Sequence, residues 1–188
     1  AADDRTRPWL FLRVRDAGRQ MTWAYIIIGL VALQRLAELP YAARNTKRLL
    51  ASGAIEYGRK HYPLFVVLHA SWLLAIILAL PQAPPINLAP LAAYIALGIL
   101  RVWVLLSLGP YWTTRIISLP KAPLVRKGPY RFVRHPNYWI VVGEIALLPL
   151  VFGEIIVAGI FSALNAGLLF WRIRVENMAL AARRAAAN

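Results

Sequence analysis

The chain has no cysteine, which excludes disulfides, thiolate metal sites and a cysteine nucleophile. Acids are scarce: eight Asp and Glu stand against 22 Lys and Arg, for a net charge of +14. All three aspartates (Asp3, Asp4 and Asp16) lie in the first twenty residues, so the rest of the chain has only Glu38, Glu56, Glu144, Glu154 and Glu176. Histidine is limited to His61, His69 and His135, with no HExxH pair and no clustered His/Asp/Glu set. A catalytic metal is therefore not expected. No internal repeat is visible, and the alanine-rich end, 179–187, is the one low-complexity stretch.

Apolar residues are what the chain has in abundance. They make up 60% of 188 residues, where a soluble domain has about half. Mean hydropathy is +0.55. The reading is a polytopic membrane protein of one domain. The basic residues fall in loops between apolar segments, which is how cytoplasmic loops meet anionic membrane lipid. Membrane lipids, and not nucleic acid, are the expected partners of that charge. Nothing in the sequence sets an oligomeric state.

A spanning helix needs about 20 apolar residues. Candidates are 22–40, 63–80 and 88–108. A longer apolar stretch, 138–171, is interrupted by Pro149, Gly153 and Glu154. Proline and glycine together stop a helix, so it reads as two short helices paired through a tight turn. The expected fold is all-α, with about five transmembrane helices, the last two short. Loops 44–61 and 109–137 and the tail are basic, whereas loop 81–87 and the turn at 153 carry no basic residue. That alternation places the C-terminus in the cytoplasm. Residues 1–20, with five arginines, do not fit the alternation. Met21 reads as a start, with 1–20 as a poorly ordered extension and 21–188 as the membrane-embedded domain.

Polar residues inside the spans are few. Arg35 and Glu38 are three apart, share a helical face and can pair. Gln34, His69 and Asn165 read as bundle residues that bond across helices. Glu144 is a costly intramembrane carboxylate with Arg101 as a plausible partner, and it leans toward function. In the tail, Arg172 and Glu176 are four apart and share a face at the end of the last helix. An ordinary snorkelling end would look the same. A second basic and aromatic run, residues 124–138 (LVRKGPYRFVRHPNY), belongs to the same membrane face.

GPYRFVRHPNY, then two apolar helices, then RIRVEN, resembles the isoprenylcysteine carboxyl methyltransferase family. The pattern before the last helix pair is met by Leu124, Val125, Gly128, Tyr130, Arg134, His135, Pro136 and Tyr138. The pattern after it is met by Arg172, Ile173 and Glu176. Asn177 stands where the family has a second acid, and Ala122 where it has a histidine. The first half (QRLAEL, GAIEYGRKHYP, SLGPYWTTRII) is similar to the bacterial branch that O-methylates alkylpyrones or alkylresorcinols.

The resemblance implies a bacterial inner-membrane enzyme with S-adenosylmethionine bound from the cytosol by the matched residues. Arg172, Glu176 and His135 would be catalytic. The acceptor would be lipidic, either a prenylcysteine-type carboxyl or an alkylpyrone or alkylresorcinol hydroxyl. The other classes that suit this composition are an NADPH-dependent membrane reductase of sterol-reductase-like topology and a non-catalytic transport protein.

Overall fold

The computed structural model describes residues 8–120, 122 and 125–185; of 8–15 and 182–185 it describes only the helical backbone. Five α-helices carry the described chain: α1 (Pro8–Ala51), α2 (Tyr62–Ala79), α3 (Leu88–Leu108), α4 (Pro136–Val151) and α5 (Ile155–Ala185). Two three-residue strands, β1 (Ile55–Tyr57) and β2 (Ile116–Ser118), pair antiparallel with Glu56 opposite Ile117. The all-α membrane architecture stands. Four helices are long and apolar enough to cross a membrane: Asp16–Ala51, Arg59–Ala79, Leu88–Tyr111 and Ile155–Ala181.

The short helix is α4 alone. Its 16 residues rise about 24 Å, less than a bilayer core. It is hydrophobic all round, and such a helix belongs inside a bundle. Ile145, Leu148 and Val151 are fully buried in one apolar cluster with Trp72 and Ile76 of α2 and Ile28 and Val31 of α1, while α4 packs chiefly on α3 and α5. The outer faces of the other helices are apolar too, with Leu78 76% and Ile156 77% exposed, which suits contact with lipid.

Three expectations change. The last helix is not short: α5 has 31 residues and runs straight through Arg172–Glu176. The tail beyond 171 is rich in alanine and arginine and lacks proline and glycine, so nothing stops the helix at the membrane surface. The first helix does not end at Pro40, which lies inside α1. Its later half is anchored sideways: Tyr41 Oη donates to Gly109 O (2.8 Å), and Asn45 Nδ2 to Trp112 O (2.9 Å). These bonds offset the one backbone bond the proline removes. At the front, α1 extends back to Pro8, so part of the segment read as poorly ordered is helical; residues 1–7 lie outside the described ones.

The break between α4 and α5 also differs in detail. Pro149 stays within α4, and the stop is Gly153 at φ 79°. Glu154 N donates to Pro149 O (3.0 Å) and Gly153 N to Leu150 O (3.2 Å), which is a Schellman cap. Only glycine takes that backbone conformation freely.

Glu154, beside the cap, is 8% exposed, and neither carboxylate oxygen has a partner among the described residues. Burial pushes its carboxyl up from 4.5 to about 7. A folded pKa above the unfolded one adds stability below pH 4.5, and that increment disappears as pH rises through about 7. Glu154→Gln removes the titration. Its melting temperature should match wild type near pH 4.5 and exceed it at pH 8. Parallel pH profiles for the two proteins would show that Glu154 is solvated.

Gln34, Arg35, Glu38, Arg101 and Glu144 form one cluster. Arg35 and Glu38 do not bond to each other. Arg35 Nη2 donates to Glu144 Oε2 (2.7 Å), and Arg101 Nη1 to Glu38 Oε2 (3.2 Å). Arg101 bridges both acids, donating from Nε to Glu144 Oε1 (3.0 Å) and from Nη2 to Glu144 Oε2. The expected Arg101–Glu144 pair is present. Gln34 Nε2 reaches Glu38 Oε1 (3.3 Å). His69 is a satisfied bundle histidine, its Nδ1 donating to Phe65 O (2.8 Å). Asn165 is 1% exposed, but its side-chain oxygen bonds to nothing among the described residues.

Candidate active site

The connector before α4 crosses the end of the bundle as a short 3-10 turn, Gly128–Arg131, packed on α3. Gly128 has φ 58°, and a Cβ there would run into Ser107 Oγ. It lets the chain pass close to α3 and does not line the site. Pro136 is buried in the first turn of α4, where its fixed φ starts a helix. These two shape the connector. Leu124 lies outside the described residues.

The connector, α5 and the segment around β2 enclose a cavity of about 380 Å³, within the size range of small-molecule sites. Val125, Tyr130, Arg134, His135, Tyr138, Arg172 and Glu176 all line it. Two sequence runs more than thirty residues apart therefore meet, as their shared membrane face required. Tyr138 Oη donates to Glu176 Oε2 and accepts from Arg172 Nε (2.9 Å). Glu176 Oε1 lies 3.6 Å from His135 Nδ1. The His135 and Tyr138 rings stack at 5.3 Å and 14°. Arg172 Nη2 also donates to Thr114 O (2.9 Å), and its guanidinium lies 5.1 Å from the Phe65 ring centroid. Burial and the nearby Glu176 charge push the Tyr130 hydroxyl well above the usual tyrosine range. It stays a neutral donor at physiological pH.

Sequence reasoning missed the wall opposite. Trp112, Thr113, Arg115 and Asn137 line the cavity as well. Arg115 Nη1 pairs with Glu56 Oε1 of β1 (2.8 Å), so the small sheet fixes this wall. In the sequence Arg115 is a loop charge within the SLGPYWTTRII run, and nothing in that run points to Glu56, 59 residues earlier. Among the described residues, Trp112 Nε1 and Asn137 Oδ1 have no hydrogen-bond partner. Four arginines (Arg115, Arg126, Arg134, Arg172) line the cavity with one carboxylate, Glu176. Arg126 and Arg134 have no ion-pair partner among the described residues. The site is strongly cationic.

The chain is 39% identical over 160 residues to the uncharacterized protein YpbQ of Bacillus subtilis, covering 83% of this chain and 95% of that one. It is 30% identical over 127 residues to an uncharacterized protein of Haemophilus influenzae, covering 64% of this chain and 72% of the other. No solved structure matches. The isoprenylcysteine carboxyl methyltransferase (ICMT) family matches residues 89–182, the stretch that contains α3, the connector, α4 and the Arg172–Glu176 run. With both motif runs folded into one cavity and a membrane bundle around them, the chain belongs to the isoprenylcysteine carboxyl methyltransferase family, a family of membrane methyltransferases.

Proposed function

We propose that the protein transfers a methyl group from S-adenosylmethionine to an oxygen of a lipidic acceptor that binds as an anion. The observation that carries this reading is the Arg172–Tyr138–Glu176 chain beside His135 in one cavity at the bundle end. The residues present fit the cofactor. Glu176 suits its ammonium or ribose hydroxyls, and an arginine suits its carboxylate. Trp112 Nε1 and Asn137 Oδ1 offer a donor and an acceptor that the protein itself leaves unpaired.

When bound, the cofactor supplies a methyl on a sulfonium: the acceptor oxygen forms the O–CH3 bond, the S–CH3 pair stays on sulfur, and the two charges cancel. The protein's part is alignment, which can supply roughly 7 to 11 kcal/mol. Arg172 and Arg134 hold the anionic head. Arg172 in turn is held by Thr114 O and Tyr138 Oη, so its fork has one orientation. A carboxylate or an enolic hydroxypyrone, itself a vinylogous acid, needs only placement. A phenol, with pKa near 10, needs a base, and His135 can serve through Nε2, since its Nδ1 faces Glu176. The basic loops at this end of the bundle support a cytosolic site. Asn177 and Ala122, which replace an acid and a histidine of the prenylcysteine enzymes, favour the alkylpyrone or alkylresorcinol acceptors.

The test has two arms. S-adenosylhomocysteine should stabilise detergent-solubilised protein by about 2.7 kcal/mol at a hundred times its dissociation constant, read as a higher melting temperature. NADPH should not. Methyl transfer from labelled cofactor should be faster to a long-chain alkylpyrone than to farnesylcysteine. A shift with NADPH alone would replace the methyltransferase reading with a reductase; preference for farnesylcysteine would reverse the acceptor.

A further inference from the structure

Among the described arginines that line the cationic cavity, Arg115 alone is backed by a carboxylate from outside it. Its Nη1 donates to Glu56 Oε1 (2.8 Å), and Glu56 is not part of the lining. The two side chains are 35% and 13% exposed, so the acid sits behind and the guanidinium faces the open space. No other side-chain nitrogen of Arg115 has a hydrogen-bond partner among the described residues. The guanidinium also lies 4.8 Å from the ring centroid of Tyr62, the first residue of α2. Tyr62 Oη shares a hydrogen bond with Thr114 Oγ1 (3.2 Å), and Thr114 O accepts from Arg172 Nη2 (2.9 Å). Thr114 and Arg115 therefore fix two guanidiniums relative to each other, and both line the same cavity. A fork bound on one side and open on the other is set for an incoming anion, at little further cost in side-chain entropy.

We infer that Arg115 binds the second oxygen of the acceptor's head, the one that is not methylated, and that Glu56 and Tyr62 are positioning residues that aim its fork into the cavity. The inference rests on the methyltransferase reading and adds a second contact to the head. The acceptor classes of that reaction share a pair of oxygens. A carboxylate has both on one carbon, a hydroxypyrone has a ring carbonyl conjugated with its enol, and a resorcinol has two hydroxyls on one ring. Arg172 and Arg134 already answer the charge of the head. A further cation on the reacting oxygen would only weaken it as a nucleophile. On the other oxygen it fixes the rotation of the head about the line of attack, which an in-line displacement needs. A staple between β1 and β2 would require the Glu56 contact alone. It gives no reason for the remaining donors to open on the cavity that also holds Arg172 and Glu176.

The experiment uses three lipids with the same pentadecyl chain: a hydroxypyrone, a resorcinol, and a phenol that differs from the resorcinol only in lacking the second hydroxyl. In wild type, kcat/KM should favour both two-oxygen lipids over the phenol by about tenfold or more, the worth of one hydrogen bond from a charged donor. That preference should fall to near unity in the charge-balanced double variant, Glu56→Gln with Arg115→Gln. It should fall several-fold in Arg115→Lys, which keeps the charge and loses the fork. Glu56→Gln alone leaves the arginine present but unpinned, and should lose part of the preference. The melting shift with S-adenosylhomocysteine should persist in all three variants; its loss in them would put Arg115 on the cofactor and overturn the inference. Equal losses on the three lipids would reduce the Glu56–Arg115 pair to a sheet staple and also overturn it. So would a wild type that shows no preference, or that methylates none of the three. Absence of the S-adenosylhomocysteine shift in wild type would instead sink the methyltransferase reading itself.

Discussion

Glu144→Ala should destabilise the bundle by about 3 to 5 kcal/mol, the largest stability loss expected of a single residue here. Glu144 is fully buried and accepts from both Arg35 and Arg101. Arg101 is itself 3% exposed. With Glu38, the four groups sum to zero charge and tie α1, α3 and α4 together. Removing Glu144 leaves two guanidiniums facing one carboxylate in a low-dielectric interior. The penalty is that of the unpaired charge, and it exceeds the net worth of the pair. A double variant, Arg101→Leu with Glu144→Leu, restores neutrality with Arg35 and Glu38 remaining. It should therefore be more stable than Glu144→Ala alone. The check is thermal unfolding of detergent-solubilised protein, monitored with the amount extracted as a single species. A melting temperature for Glu144→Ala within a degree or so of wild type would mean that the cluster does not lock the bundle.

That cluster shows what could be read from the sequence and what could not. Arg101 with Glu144 was legible because both are charges in apolar runs, and such charges need partners. The partner of Arg35 was not. Spacing along one helix offered Glu38, three residues away, but a local pair competes with any carboxylate that folding brings nearer. Here Glu144, 109 residues on, takes Arg35, and Arg101 takes Glu38. Helix ends failed for a related reason. Pro40 breaks one backbone bond, and the side-chain bonds from Tyr41 and Asn45 that hold the helix beyond it reach residues near 110. The site followed the same division. The 124–138 run and the Arg172–Glu176 pair were legible from residue type and membrane face. The Trp112–Arg115 wall was not, because its place depends on the pairing of two three-residue strands with little pattern of their own.

Arg172 carries the largest expected effect on turnover. Arg172→Ala should lower kcat/KM for methyl transfer by a hundredfold to a thousandfold, about 3 to 4 kcal/mol of transition-state stabilisation. The magnitude follows from what is removed. A guanidinium held in one orientation by Tyr138 Oη and Thr114 O is a pre-set charge for the acceptor's head, and removing one such donor costs about a hundredfold to a thousandfold. Its loss also frees Tyr138, whose hydroxyl is the other ligand of Glu176. Arg172→Lys is the sharper test. Lysine keeps the charge and can keep one bond, but it cannot span Tyr138 and Thr114 with a planar fork. It should lose at least tenfold in kcat/KM, about 1.4 kcal/mol. If Arg172 only snorkelled at the membrane surface, both variants would lose a little stability and keep their turnover, since an exposed ion pair contributes at most about 1 kcal/mol. Melting with and without S-adenosylhomocysteine separates the cases: a folded, cofactor-responsive lysine variant with low turnover places Arg172 at the acceptor. Full activity in that variant would remove Arg172 from the catalytic set and leave Glu176 and His135 to carry the chemistry.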